Sequence, residues 1–264
     1  TQKIGKNAFL TVRGNMTFNK DKIIENDQPP VDYPWMETRG TNVNAIWGYI
    51  ADGLFTSQDE IDDHAKQFGT VHVGDIKYRD LNDDGVIDDY DKTVIGRGDV
   101  PRIYYGFGAD LQVGNFSFSA LFQGNAQADR YLDGISIKPF WDDEGRDNVF
   151  ANITDRWSAD NPTNQDVFYP RLSVGSDGNN NNVKPSSWWV KDVSFLRLKQ
   201  VNISYTLPKK WTDPLLIKNA QIYLMGTNLL TFSKFKLWDP ELNTSNGTAY
   251  PNVSSYSIGL KFNF

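Results

Sequence analysis

Hydrophobic and polar residues alternate with a period of two in six separate stretches of this chain. In the first, Ala8, Leu10, Val12, Met16 and Phe18 share one face with Gly14, against Thr11, Arg13, Asn15 and Thr17. The second sets Ile103, Tyr105, Phe107, Ala109, Leu111 and Val113 opposite Gly106, Gly108, Asp110 and Gln112. Phe116, Phe118, Ala120 and Phe122 oppose Ser117, Ser119 and Gln123 in the third, and Val201, Ile203, Tyr205 and Leu207 oppose Gln200, Asn202, Ser204 and Thr206 in the fourth. The fourth begins near Phe195, but Arg197 and Lys199 fall in its apolar phase and break the pattern. The fifth has Ile222 and Leu224 beside Gly226 with a less polar opposite face, and the sixth carries Tyr256, Ile258, Leu260, Phe262 and Phe264 to the end. Period two with side chains on alternate faces predicts strands, each about as long as a tilted outer-membrane strand.

The connections sharpen this expectation. Long segments at 20–101, 126–193 and 234–252 alternate with short turns near Gly114 and at 207–219. Long loops on one side and short turns on the other mark an outer-membrane β-barrel, whereas compact soluble domains rarely hold loops above about 15 residues. The competing expectation is a soluble antiparallel sheet whose aromatic faces form a core and whose polar faces are wet.

Composition narrows the class. Aromatic residues make up 14% of 264, and Asn, Ser, Thr and Gly are abundant, which favours β structure with polar loops. With no cysteine there is no disulfide framework or thiolate site, and a net charge of −6 without a Lys/Arg stripe argues against nucleic acid. No apolar run approaches the roughly 20 residues of a membrane helix, which leaves barrel strands open. The start at Thr1 has no signal-peptide character, so the chain is expected to be a mature protein or a piece of a longer one.

The first long loop carries DLNDDGVIDDYD at 80–91. Against the calcium-loop pattern D-x-[DN]-x-[DN]-G, Asp80, Asn82 and Asp84 fall at positions 1, 3 and 5, with Gly85 at 6. Alternate side-chain oxygens converge on one ion, the glycine permits the sharp turn, and the Val86 carbonyl then points inward. Asp88 stands at position 9 and Asp91 at position 12, where a shorter aspartate replaces the usual glutamate. Oxygen-only ligation predicts a hard cation, calcium before magnesium, and Ile87 anchors the loop to packed structure. The bland alternative is a surface turn with solvated charges. Strand-like flanks make a stapled loop, not a helix-flanked switch.

Other chemistry is thin. His64 and His72 lie eight apart without the spacing of a zinc pair, and a Ser-His-Asp arrangement finds no support. The carboxylates of WDDEG at 141–145 read as a solvated loop, and SDGNNNN at 176–182 as a flexible tip. Trp141, Trp157, Trp188 and Trp189, in or beside the second long loop, are candidates to stack on sugar faces or peptide side chains, or else pack the loop or mark a membrane interface. No catalytic constellation stands, so an enzyme is not expected.

Taken together, WGYIADGLFTSQDEI, GDIKYRDLNDDGVIDDYDKTVIG, PRIYYGFGADLQVGNFSFSALFQG, RWSADNPTN with YPRLS, SSWWVKDVSFLRLKQVNISYTLP, NLLTFSKFKLWDPE and the closing YPNVSSYSIGLKFNF resemble the C-terminal region of SusC/RagA-like TonB-dependent transporters of Bacteroidetes. The resemblance spans nearly the whole chain. It implies an all-β, transmembrane antiparallel barrel of 22 strands, here the last six, without the plug domain or TonB box. It further implies a SusD-like surface lipoprotein partner, energy through TonB, and outer-membrane import of oligosaccharides or peptides. The long loops would be extracellular and the C-terminus periplasmic, with Phe264 as part of a final-strand assembly signal. The alternative from another class is a soluble, calcium-stabilised β-domain for glycan binding or adhesion.

Overall fold

The computed structural model describes residues 1–140, 149–175 and 180–263. In chain order its strands are β1 (Gln2–Gly5), β2 (Ala8–Phe18), β3 (Ile46–Gly48), β4 (Ala51–Leu54), β5 (Ile76–Tyr78), β6 (Thr93–Gly96), β7 (Ile103–Val113), β8 (Phe116–Ala126), β9 (Asp129–Tyr131), β10 (Val190–Asp192), β11 (Phe195–Thr206), β12 (Asn219–Ser233) and β13 (Ser255–Asn263). Seven of them form one antiparallel sheet in the order β1-β2-β7-β8-β11-β12-β13. All six alternating stretches are members, and each of the β2–β7, β7–β8, β8–β11, β11–β12 and β12–β13 pairs is antiparallel. The seventh member, β1, pairs Lys3 with Phe9 and Gly5 with Ala8. Four residues are too few to show a period, so the expected six strands become seven. Among the described residues β1 and β13 are free edges, so the sheet is an open wall and not a closed barrel.

The wall has two unlike faces. On one, Val12, Met16, Phe107, Phe118, Leu224, Leu230, Phe232, Ile258 and Leu260 are all exposed. This is the aromatic face that a soluble sheet would have buried; among the described residues no layer covers it. The other face is polar, with Arg13 paired to Asp110 at 2.8 Å and Gln221 donating to Ser204 at 2.9 Å.

A β-bulge explains the break in the fourth stretch. On β11 the register against β8 slips between Leu198, opposite Phe122, and Gln200, opposite Leu121, so Lys199 is the extra residue. Leu196 and Leu198 thereby rejoin the apolar face beside Phe232 and Leu230. Arg197 turns to the polar face, where it is 1% exposed and its guanidinium meets Asp239 at 2.5 Å and Glu241 at 3.0 Å.

The hydrophobic core lies in the loops. Tyr49, Leu54, Ile76, Tyr78 and Ile87 from the first long connection pack with Leu132, Ile137, Tyr169 and Trp189 from the second and Phe235 from the third. Small antiparallel pairs, β3 with β6, β4 with β5 and β9 with β10, frame it. Asn181 and Asn182, expected in a flexible tip, are each 3% exposed and act as struts. Asn182 accepts from the Ile76 N–H (2.9 Å) and donates to Asp75 (2.7 Å), while Asn181 donates to the Ile76 carbonyl (2.7 Å) and its own carbonyl accepts from the Tyr78 hydroxyl (2.8 Å). Arg171 closes the network on Asp75 at 2.8 Å. Amide side chains that satisfy buried backbone groups belong inside, whatever their polarity suggests.

Candidate metal centre and the loop assembly around it

The acidic segment leaves β5 at Tyr78 and reaches β6 at Thr93, crossing a one-turn 3-10 helix at Asp89–Asp91. Gly85 has φ +84°, which supplies the predicted sharp turn, and Asp83 also takes a left-handed conformation at φ +57°. Ile87 is 2% exposed, and its N–H donates to the Lys66 carbonyl while the Lys66 N–H donates to the Gly85 carbonyl, so the middle of the loop is tied to the core as expected.

The side chains fold the segment back on itself. Asp80 Oδ2 accepts from the Gly85 N–H (2.8 Å), Asp84 Oδ1 from the Val86 N–H (2.9 Å), and the Asn82 amide donates to Asp84 Oδ2 (2.8 Å). Asp91 is fully buried; its two oxygens accept from the Leu81 and Asp88 N–H groups at 2.7 and 2.9 Å, joining the start of the loop to its end. Burial, together with the Asp80 and Asp88 charges, pushes the Asp91 carboxyl above its ordinary value. Asp80 Oδ1 is buried and has no hydrogen-bond partner. A buried carboxylate oxygen without a donor, beside further carboxylates, is the setting that a hard cation relieves. Among the described residues no three Asp, Glu or His side chains stand as a finished cation cage. The calcium-loop pattern also draws on the Asn82 side chain and the Val86 carbonyl, which are oxygen donors of the kind a hard cation takes.

An aromatic clasp holds the outside of this loop. Tyr33 stacks on Trp35 with centroids 4.7 Å apart, Tyr90 meets Tyr33 edge-on, and the Trp35 indole N–H donates to the Tyr90 carbonyl at 2.7 Å. Three of the four tryptophans, for which ligand stacking and loop packing were both open, lie in the packed loop assembly. Trp189 is 2% exposed, and Trp157, Trp188 and Trp189 commit their indole N–H groups to the carbonyls of Pro162, Phe168 and Asn182. They pack the loop assembly. Trp141 and the WDDEG carboxylates lie outside the described residues, as does Phe264. His64 packs edge-on against Phe55. The sequence reading did not assign Arg197 a role, although a charge in the apolar phase of a strand was a visible sign of one.

The chain is 34% identical over 237 residues to TonB-dependent receptor P26 of Formosa agariphila, a match covering 85% of this chain and 23% of that protein. The chain is therefore similar to a segment of TonB-dependent receptors. TonB-dependent receptor P3 of the same organism is 26% identical over 275 residues, covering 95% of this chain and 26% of that protein. The chain thus spans about a quarter of the length of the curated relatives it matches. The RagAB peptide importer in its open-open state shares the fold, with a TM-score of 0.72 at 19% identity over 98% of this chain and 27% of that one. The closed-closed state gives 0.71 over 99% and 28%. No family model matches the segment.

Proposed function

We propose that this chain forms part of the wall and the long-loop rim of an outer-membrane TonB-dependent importer, with its uncovered apolar face against lipid. The observation that carries the reading is that face: a wall of strands with Met16, Phe232 and Ile258 turned outward and the packed core displaced into the loops. A soluble adhesion or glycan-binding domain would leave this surface in water, and monomeric soluble proteins rarely expose so large a patch. The work is gated passage, not bond chemistry. The loop assembly contributes to the mouth of the channel and to the seat of a SusD-like surface lipoprotein, with energy delivered through TonB to a plug outside this chain. Cargo is an oligosaccharide or a peptide; the description of RagAB as a peptide importer favours the second.

Within that mouth, calcium, or magnesium in its place, is held by Asp80, Asn82, Asp84, Val86, Asp88 and Asp91 as a structural staple. When bound it supplies positive charge that quiets repulsion among the carboxylates. The chain's own residues do the rest, with Asp91 closing the loop and Ile87 seating it.

The test uses the full-length transporter that carries this chain. It should fractionate with the outer membrane, migrate as a heat-modifiable barrel and co-isolate with a lipoprotein, and its removal should abolish growth on either oligosaccharides or peptides. Recovery in the soluble fraction overturns the reading.

A further inference from the structure

We propose that the cavity between the polar face of the wall and the third long loop is a cargo subsite for an uncharged peptide group, received by Asn125 and Arg130. This rests on the reading of the polar face as the channel side of an importer.

Asn125 stands near the end of β8, in register between Tyr104 on β7 and Phe195 on β11. Its neighbours across the sheet are aromatic rings, which give an amide little to bond. The residue is 8% exposed, and its Oδ1 is buried with no hydrogen-bond partner. Its amide nitrogen has no partner among the described residues either. Arg130, on β9, is 7% exposed. Its Nη1 donates to the Asn243 side chain of the third long loop and lies 3.9 Å from Asp99, whereas Nε is buried with no partner. Other arginines of this chain use Nε and Nη2 together: Arg97 on Asp129 at 2.9 Å each, and Arg171 on Asp75 at 2.8 and 3.1 Å. Arg130 leaves that pair of donors unused among the described residues. Buried polar groups are ordinarily paired, so two unmet ones side by side mark a place where something is received.

Both residues line one cavity of about 270 Å³, with Tyr104 and Phe195 on the wall side and Glu241 and Asn243 on the loop side. The charges there are already matched. Arg130 stands against Asp99 at 3.9 Å, Arg197 against Asp239 and Glu241 at 2.5 and 3.0 Å, and Lys199 against Glu241 at 3.8 Å. An ionic ligand would upset this balance. What stays open is hydrogen-bonding capacity: one acceptor and the donors of an amide on Asn125, and the Nε edge of a guanidinium on Arg130. A peptide group supplies a carbonyl for those donors and an N–H for Oδ1, and it adds no charge. Asn125 is itself an amide, and a second amide pairs with it in both directions. A neutral sugar is the competing occupant and forms an arm of the test.

Calorimetry on the full-length transporter, isolated in uncharged detergent, tests the site with an acetylated and amidated hexapeptide of alternating Gly and Ala. Asn125→Leu should weaken binding about tenfold, the scale of one buried hydrogen bond. The same variant should unfold at the parent's urea midpoint or above it, because the amide has no partner to lose. Arg130→Lys, which keeps the charge and loses the Nε edge, should also weaken binding about tenfold. The all-ester analogue of the peptide, which has no N–H, should bind the parent about tenfold more weakly than the peptide does. Asn125→Leu should no longer distinguish ester from amide, a coupling that a merely structural residue would not show. Equal peptide affinity in parent and Asn125→Leu overturns the inference, as does absence of peptide binding or tighter binding of uncharged maltohexaose. If the parent does not assemble as a heat-modifiable barrel, the importer reading falls first; if it assembles and Asn125 does not matter, only this inference falls.

Discussion

Asp80 and Asp91 sit at the two ends of the acidic loop and meet opposite fates. Asp91 is buried with both oxygens occupied by backbone N–H groups, whereas Asp80 keeps one buried oxygen with no donor. The first arrangement holds without an ion; the second improves with one. Asp80→Ala and Asp84→Ala in the full transporter should each lower calcium affinity more than about tenfold by calorimetry, while Asp89→Asn, whose side chain pairs with Lys92 at 2.7 Å, should leave it unchanged. Chelation should also shift Trp35 emission, because its indole N–H is bonded to the Tyr90 carbonyl at the far end of the loop. Equal affinity in all three variants would remove the proposed ion site. This loop was legible in the sequence because its geometry is local: Gly85 and the alternating oxygens fall within a dozen residues. The roles of Trp157, Trp188 and Trp189 were not, since whether an indole faces solvent depends on carbonyls such as those of Pro162 and Phe168, which no spacing rule supplies.

At the scale of the strand, alternation located β2, β7, β8, β13 and the part of β12 up to Thr227 because each keeps one residue per step. It misread the upper half of β11, where Lys199 adds a step. Counting upward from Ile203 without the bulge would put Arg197 and Lys199 on the apolar side and Leu198 on the polar side. With the bulge the reverse holds for Leu198 and Arg197, and Arg197 gains Asp239 and Glu241, tying the third long loop to the wall. Two substitutions separate these arrangements. Leu198→Lys should disfavour the assembled barrel by about 1–3 kcal/mol, the cost of a lysine on the apolar face between the rim and mid-depth. Lys199→Leu loses only a partly exposed contact to Glu241 at 3.8 Å and should change stability by less than about 1 kcal/mol. Heat-modifiability after refolding in detergent, over a urea series, reads both. A tolerated Leu198→Lys would mean that the bulge does not set the facing.

For the whole molecule, the distribution of apolar surface decides where the chain is stable. The loops bury Trp189, Tyr169, Tyr78 and Ile76 together, and polar struts from residues more than a hundred positions apart, such as Ile76 with Asn182, lock them. That assembly was invisible in the sequence because nothing local specifies which asparagine meets which backbone group. The wall has no such core. Its apolar side chains face outward, and its first and last strands leave a row of unpaired backbone groups at each edge, which template pairing with any other strand. In water both features favour association over a monomer; in lipid or detergent the face is satisfied, and neighbouring wall strands would cover the edges. The 264-residue chain produced alone should therefore aggregate in plain buffer, bind a hydrophobic dye, and become dispersed only in detergent, where it should still form small oligomers through β1 and β13. Light scattering with and without detergent measures this. A monodisperse monomer in plain buffer would require some layer to cover Met16, Phe232 and Ile258, and would turn the wall back into a soluble sheet.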